Sequence, residues 1–240
     1  MGIAFDPLSY ENLGASISRA LDDQPIIPLA ELTSFNGAGV YALYYSGDFP
    51  SYVPIAAANR SRAGSWAIYI GRAEAENHRK GDPDQQSVLE GPKLFKRINE
   101  HKKSIVQADN LNVEDFSVRY LVVAPAWVPL AEIIAIRLHK PVWNSLVDGF
   151  GNHDPGSGRH NSVISRWDAL HPGRRWALNL QPRRESSTTI QTEVLEYLRV
   201  HMPSDVAANV DVVHPNMMVP IADLEVFGPN QGLNSEADST

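Results

Sequence analysis

Two short runs rich in β-branched and aromatic residues, 40–45 and 66–70, are each bounded by glycine, Gly39 and Gly47 around the first, Gly64 and Gly71 around the second. This pattern constrains the fold most, because such runs read as strands that end where a glycine lets the backbone turn. Alternation places Tyr41, Leu43 and Tyr45 on one face of the first strand, and Ala67 and Tyr69 opposite Trp66, Ile68 and Ile70 on the second. In Gly39-Val40-Tyr41 and Tyr69-Ile70-Gly71 a glycine sits two residues from a tyrosine on its own sheet face. That leaves bare surface beside each ring, room suited to a bound backbone. The 18 residues 47–64 between the runs exceed a hairpin turn and are expected to form a long loop, functional or mobile.

Around this pair, Leu13, Ile17 and Leu21 recur at a helical interval until Pro25 and Pro28 end the pattern, so residues 1–38 are expected to be a helical lead-in. Leu94, Phe95, Ile98 and Ile105 outline a helix over 93–107, residues 116–124 read as a third strand, and a helix over 130–139 is stopped by Pro141. Residues 152–173 turn to Gly, His, Arg, Asn, Ser and Pro, expected to be a contact surface rather than core. A late helix is expected over 193–201 and disorder over 228–240. The implied fold class is α+β, a small three-stranded, mainly antiparallel sheet flanked by helices, with insertions and a C-terminal extension.

Composition excludes several classes. With 43% hydrophobic and 20% charged residues the chain is neither disordered nor fibrous. No apolar run reaches the roughly 20 residues that span a bilayer, and Asp6, Glu11, Asp22 and Asp23 occupy the first 30 positions, so no membrane partner and a cytoplasmic location are expected. Without cysteine there is no disulfide, thiolate metal site or cysteine nucleophile, which leaves carboxylate, histidine, tyrosine and hydroxyl chemistry. The net charge of -7 is uneven: residues 185–240 carry nine acids and one base, and the remainder is close to neutral. Two basic patches stand out, five Lys/Arg against one Glu over 93–103, and six Arg against Asp168 alone over 159–184.

The candidate chemistry rests on Tyr41 and Tyr69 on neighbouring strands, Arg97 and His101 four apart on one helix face, Glu132 near the start of a helix, and Asn144 in a following turn. Each has a plain explanation too. A strand tyrosine can place its hydroxyl at the surface, a lysine-rich helix face can simply meet water, a first-turn glutamate complements the helix dipole, and a turn asparagine can satisfy backbone.

Their order along the chain, however, resembles that of the GIY-YIG endonucleases. Gly39-Val40-Tyr41 departs from the first signature only at its middle residue, and Tyr69-Ile70-Gly71 matches the second intact. Arg97 and His101 match the family's helix, Glu132 its metal-binding glutamate and Asn144 its terminal asparagine, over about residues 35–150. Within that superfamily the chain looks most like type II restriction endonucleases that cut a palindromic GC-rich site. The resemblance implies one Mg2+ per active site held by Glu132, Tyr41 as general base, Arg97 on the scissile phosphate, Tyr69 on the attacking water or phosphate, and Asn144 steadying the site. It also implies duplex DNA as substrate, 5'-phosphate and 3'-hydroxyl products, a homodimer and a cognate methyltransferase. The domains expected are a lead-in (1–38), a catalytic core (39–150), a DNA-contacting loop region (151–184) and an acidic extension (185–240). DNA contacts are expected from Arg72, Lys93, Lys96, Lys102, Arg159, His160, Asn161, Arg166 and Arg174, with arginine suited to guanine edges. The alternatives are a repair or homing nuclease and a non-catalytic DNA-binding module of the same fold. A PD-(D/E)xK nuclease is disfavoured by the spacing in Glu90-Gly-Pro-Lys93.

Overall fold

The computed structural model describes Asp6 and residues 9–74, 91–154 and 161–202. Along these the order is α1 (Tyr10–Asp22), β1 (Ile27–Pro28), β2 (Gly39–Tyr45), α2 (Val53–Ser61), β3 (Ala67–Ala73), α3 (Lys93–Gln107), β4 (Phe116–Val122), α4 (Val128–His139), α5 (Val142–Ser145), α6 (Arg166–Leu170) and α7 (Ser187–His201). The fold is α+β. The sheet is antiparallel throughout, in the order β1-β4-β2-β3, so the three expected strands are joined by a fourth, the two-residue β1, on the outer side of β4. The expected disorder over 228–240 lies outside the described residues.

β2 is the spine of the domain, buried along its whole length and paired on both sides. Tyr41, Leu43 and Tyr45 enter the larger core with α3, α5 and α7, whereas Ala42 and Tyr44 enter a smaller one with Leu21 of α1 and Ala135 of α4. On β3 the simple alternation fails. Pairing shifts between Leu43 and Tyr44, which face Tyr69 and Ala67 respectively. This bulge rotates the strand, so Tyr69 joins Trp66 and Ile68 on the larger-core face while Ile70 joins Ala67 on the other.

Two expected loops are ordered. Residues 50–61 form a 3-10 turn and α2, with Tyr52, Ile55 and Ala56 buried at helical spacing, and Pro54 in the first turn where its missing N–H costs nothing. Residues 165–174 are core rather than contact surface, since Trp167, Leu170 and His171 are fully buried. α7 begins earlier than expected and packs Ile190, Val194 and Leu198 into the larger core. Arg166 bridges Glu185, just before this helix, and Glu193 within it, which partly neutralises the acids there.

Candidate active site

β2 and β3 are in register with Tyr41 directly across from Gly71. A Cβ on Gly71 would overlap the Tyr41 hydroxyl and lie 2.6 Å from its Cζ and 2.9 Å from Tyr69 Cε1. The bare surface expected beside the ring is therefore taken by the tyrosines themselves, and Gly39 is likewise pressed against the Leu121 carbonyl. His101, on the inner face of α3, completes a ring cluster with centroids 5.8 Å from Tyr41 and 5.0 Å from Tyr69, the two tyrosines being 6.2 Å apart. Phe150 stacks on His101 at 4.4 Å and 20° and meets Tyr69 edge-on at 4.9 Å.

One turn before His101, Arg97 reaches the mouth of this cluster, its Nη1 donating to Glu100 at 3.0 Å and lying 2.8 Å from His153 Nε2, its Nη2 donating to the Gly151 carbonyl at 3.3 Å. His153, Gly151 and Phe150 belong to one strap; His153 falls in the stretch 152–173 expected to be a contact surface, whereas the sequence pattern does not single out Phe150 and Gly151, because irregular backbone carries no periodicity.

Burial dominates the electrostatics. It holds the Tyr41 phenol well above its ordinary range, reinforced by the neighbouring Tyr69, and raises Tyr69 as well. Both phenols feel opposed fields, Arg97 favouring the phenolate and Glu132 resisting it. Burial, then the charge of Arg97, drives His101 well below its usual value, so its ring is neutral. Tyr41 Oη and His101 Nε2 are buried without a hydrogen-bond partner. A buried polar atom without a partner is costly, and these two lie in one ring cluster.

α4 starts two residues before the expected position, which puts Glu132 in its second turn and removes the helix-dipole explanation for it. Its carboxyl is raised by burial and pulled back by Arg72, whose Nη1 donates to Glu132 Oε2 at 2.8 Å while Nε bonds Glu74 at 2.9 Å. No group of three or more His, Asp or Glu that could cage a metal occurs among the described residues. A single half-buried carboxylate, already paired with a cation, fits a hard divalent ion that keeps most of its waters. Asn144 does not reach the rings. From α5 it accepts from Ile70 N and donates to Ile70 O, both at 2.8 Å, clamping the backbone of the strand that carries Tyr69.

The expected DNA contacts divide. Lys96 and Asn161 are exposed, Lys93 and Arg72 partly so. Lys102 donates to the Ala30 carbonyl at 2.6 Å. Arg166 is committed to Glu185, Glu193 and the Leu146 carbonyl. Arg174, expected at a base edge, is instead 1% exposed. Arg159 and His160 lie outside the described residues.

Residues 33–198 match the family model of the Eco29kI GIY-YIG domain. The chain belongs to that family, and it is accordingly a nuclease of the restriction type with DNA as its substrate, in a superfamily that commonly uses divalent metals. No curated protein matches the sequence. No helix among the described residues is long and apolar enough to cross a membrane.

Proposed function

We propose that this protein is a type II restriction endonuclease that hydrolyses both strands of duplex DNA at a palindromic GC-rich site, with Mg2+, leaving 5'-phosphate and 3'-hydroxyl ends. The observation that carries this reading is the convergence of Tyr41, Tyr69, Arg97 and His101, drawn from two strands and a helix, with Glu132 near enough to act on both phenols.

Hydrolysis needs an activated water, neutralised phosphate charge and a stabilised leaving oxygen. Arg97 offers a planar fork to the scissile phosphate, and its present partners, Glu100 and His153, are exposed enough to yield. Tyr41 Oη, lacking a partner in the free protein, takes the attacking water as its hydrogen-bond partner. Phosphate, water and the fork of Arg97 replace the dry surroundings that hold its proton, which leaves through the admitted water, while His101, kept neutral by burial and the charge of Arg97, orients the phenol and does not take that proton. Tyr69 positions the water or a phosphate oxygen, and Asn144 keeps the strand under it straight. Glu132 holds the ion, which when bound supplies positive charge to the phosphate and the leaving 3' oxygen.

Lys93, Lys96 and Asn161 supply DNA contacts, together with Arg159 and His160 on sequence grounds. A palindromic target calls for two symmetric sites, hence a homodimer. The biological setting is a cytoplasmic restriction–modification pair with a methyltransferase. The test is digestion of plasmid and phage DNA with Mg2+ or EDTA. Discrete fragments in Mg2+ alone, with sequenced ends giving site and stagger, support the reading. Retained binding without cleavage would favour the non-catalytic module. Tyr41→Phe and Glu132→Ala are expected to abolish cutting with DNA binding intact; unfolding of both would make them core residues only.

A further inference from the structure

A guanidinium has five N–H donors, no acceptor and a charge that does not titrate away, so burying one requires five acceptors and an anion. Arg174 has them all. Nε and Nη2 grip Asp168 bidentately at 2.6 and 2.8 Å, Nη2 also donates to the Gly149 carbonyl at 2.9 Å, and Nη1 donates to the Phe150 and Asn152 carbonyls at 3.1 and 3.2 Å. The plane lies against Trp167 and Trp176, with Cζ 4.4 and 4.7 Å from the ring centroids. Asp168 is fixed in turn by the Ser165 hydroxyl at 2.6 Å, at the N-cap of α6. Gly149 turns with φ at 101°, and a side chain there would run into Ser165.

Every acceptor other than Asp168 belongs to residues 149–152, and this strap is what touches the ring cluster. Phe150 stacks on His101, and the Gly151 carbonyl holds Arg97. We propose that Arg174 is a positioning residue of the nuclease site, gripping three strap carbonyls so that Phe150 and Gly151 hold His101 and Arg97 in their reacting orientation. This rests on the nuclease reading above. Lysine would keep the charge opposite Asp168 but offers no flat fork to span the carbonyls, which separates the ion pair from the grip.

The experiment compares Arg174→Lys with wild type on a duplex oligonucleotide carrying the mapped cleavage site, and follows the His101 ring protons by NMR without DNA. Misplacement of reacting groups by about 1 Å costs roughly 100-fold in rate, so kcat is expected to fall on that scale while KM and DNA affinity in Ca2+ change by less than about threefold. The His101 ring signals should shift as the Phe150 stack loosens. Val194→Ala, which loosens the same core from α7 while leaving the hydrogen bonds of Arg174 intact, lowers the melting temperature but leaves kcat and the His101 signals in place. If Arg174→Lys does not fold, Phe150→Leu, with the ion pair intact, must show the same kcat loss and shift. Wild-type kcat and unmoved His101 signals in the tested variant overturn the proposal, as does an equal kcat loss in Val194→Ala. If wild type cuts no DNA, the nuclease reading fails by itself, and the His101 signals alone then decide whether Arg174 sets that ring.

Discussion

Tyr41 and Gly71 form a cross-strand pair in which the phenol occupies the volume a side chain on the glycine would need. Gly71→Ala is therefore expected to displace the ring. Overpacking of this kind costs about 1–3 kcal/mol, and the displaced hydroxyl costs roughly 100-fold in cleavage rate. Urea unfolding and single-turnover cleavage measure the two effects; an alanine variant that cuts at the wild-type rate would show that the hydroxyl does not act from this position.

Arg72 sits where a cation must approach Glu132, with 2.8 Å between them. Removing this half-exposed competitor by Arg72→Gln is worth about 1 kcal/mol at most, so Mn2+ should bind the DNA-free protein up to roughly fivefold more tightly, and Glu132→Gln should abolish binding. Titration calorimetry distinguishes these outcomes. Weaker binding in Arg72→Gln would mean that the arginine supports the ion instead.

His171 is wholly buried, 2.8 Å from the Tyr52 hydroxyl and 2.9 Å from Asn110 Oδ1, and burial, aided by the charge of Arg174, pushes it down to about 3. An unfolded histidine gains its proton near 6.5. As pH falls from about 6.5 to about 3, the unfolded chain binds a proton that the folded one refuses, so stability drains away across that window. In His171→Gln, unfolding free energy at pH 7 should be lower, but its dependence on pH should flatten by about 1.4 kcal/mol per unit, the slope of one proton. Parallel acid slopes in the two proteins would contradict the buried neutral ring.

Asn144 serves the N–H and C=O of Ile70 at once. Asn144→Ala strips both, at a cost of about 1–3 kcal/mol for each group left without a partner. Activity should decline with it, because Tyr69 is the next residue. Thermal melts and cleavage rates on the same preparation test the link, and an unchanged melting temperature would sink it.

The elements that bring the candidate site together are legible because their signals are local. The boundaries of α3 agree with the sequence pattern, its apolar stripe being unbroken from Leu94 to Ile105. Tyr69 proved harder, since a bulge between neighbouring strands turns it to a face that strict alternation denies it. The strap was illegible for a different reason: Arg174, 20 or more residues further on, bonds the carbonyls of Gly149, Phe150 and Asn152, acceptors that any sequence could offer. Arg174 itself looked like a surface base among other arginines. Its flanking tryptophans, Trp167 and Trp176, were the available signal of burial. Residues 50–61 read as a loop in sequence because Pro50 and Pro54 mask a helical spacing of Tyr52, Ile55 and Ala56.

β3 closes one side of the sheet, and a strand in that position ordinarily offers its free amides and carbonyls to any extended chain that drifts past. The carboxamide of Asn144 occupies the middle of that offer by imitating a neighbouring peptide at Ile70. The side chain that steadies the tyrosine strand thus also covers the pair of backbone groups on which a further strand would begin to pair.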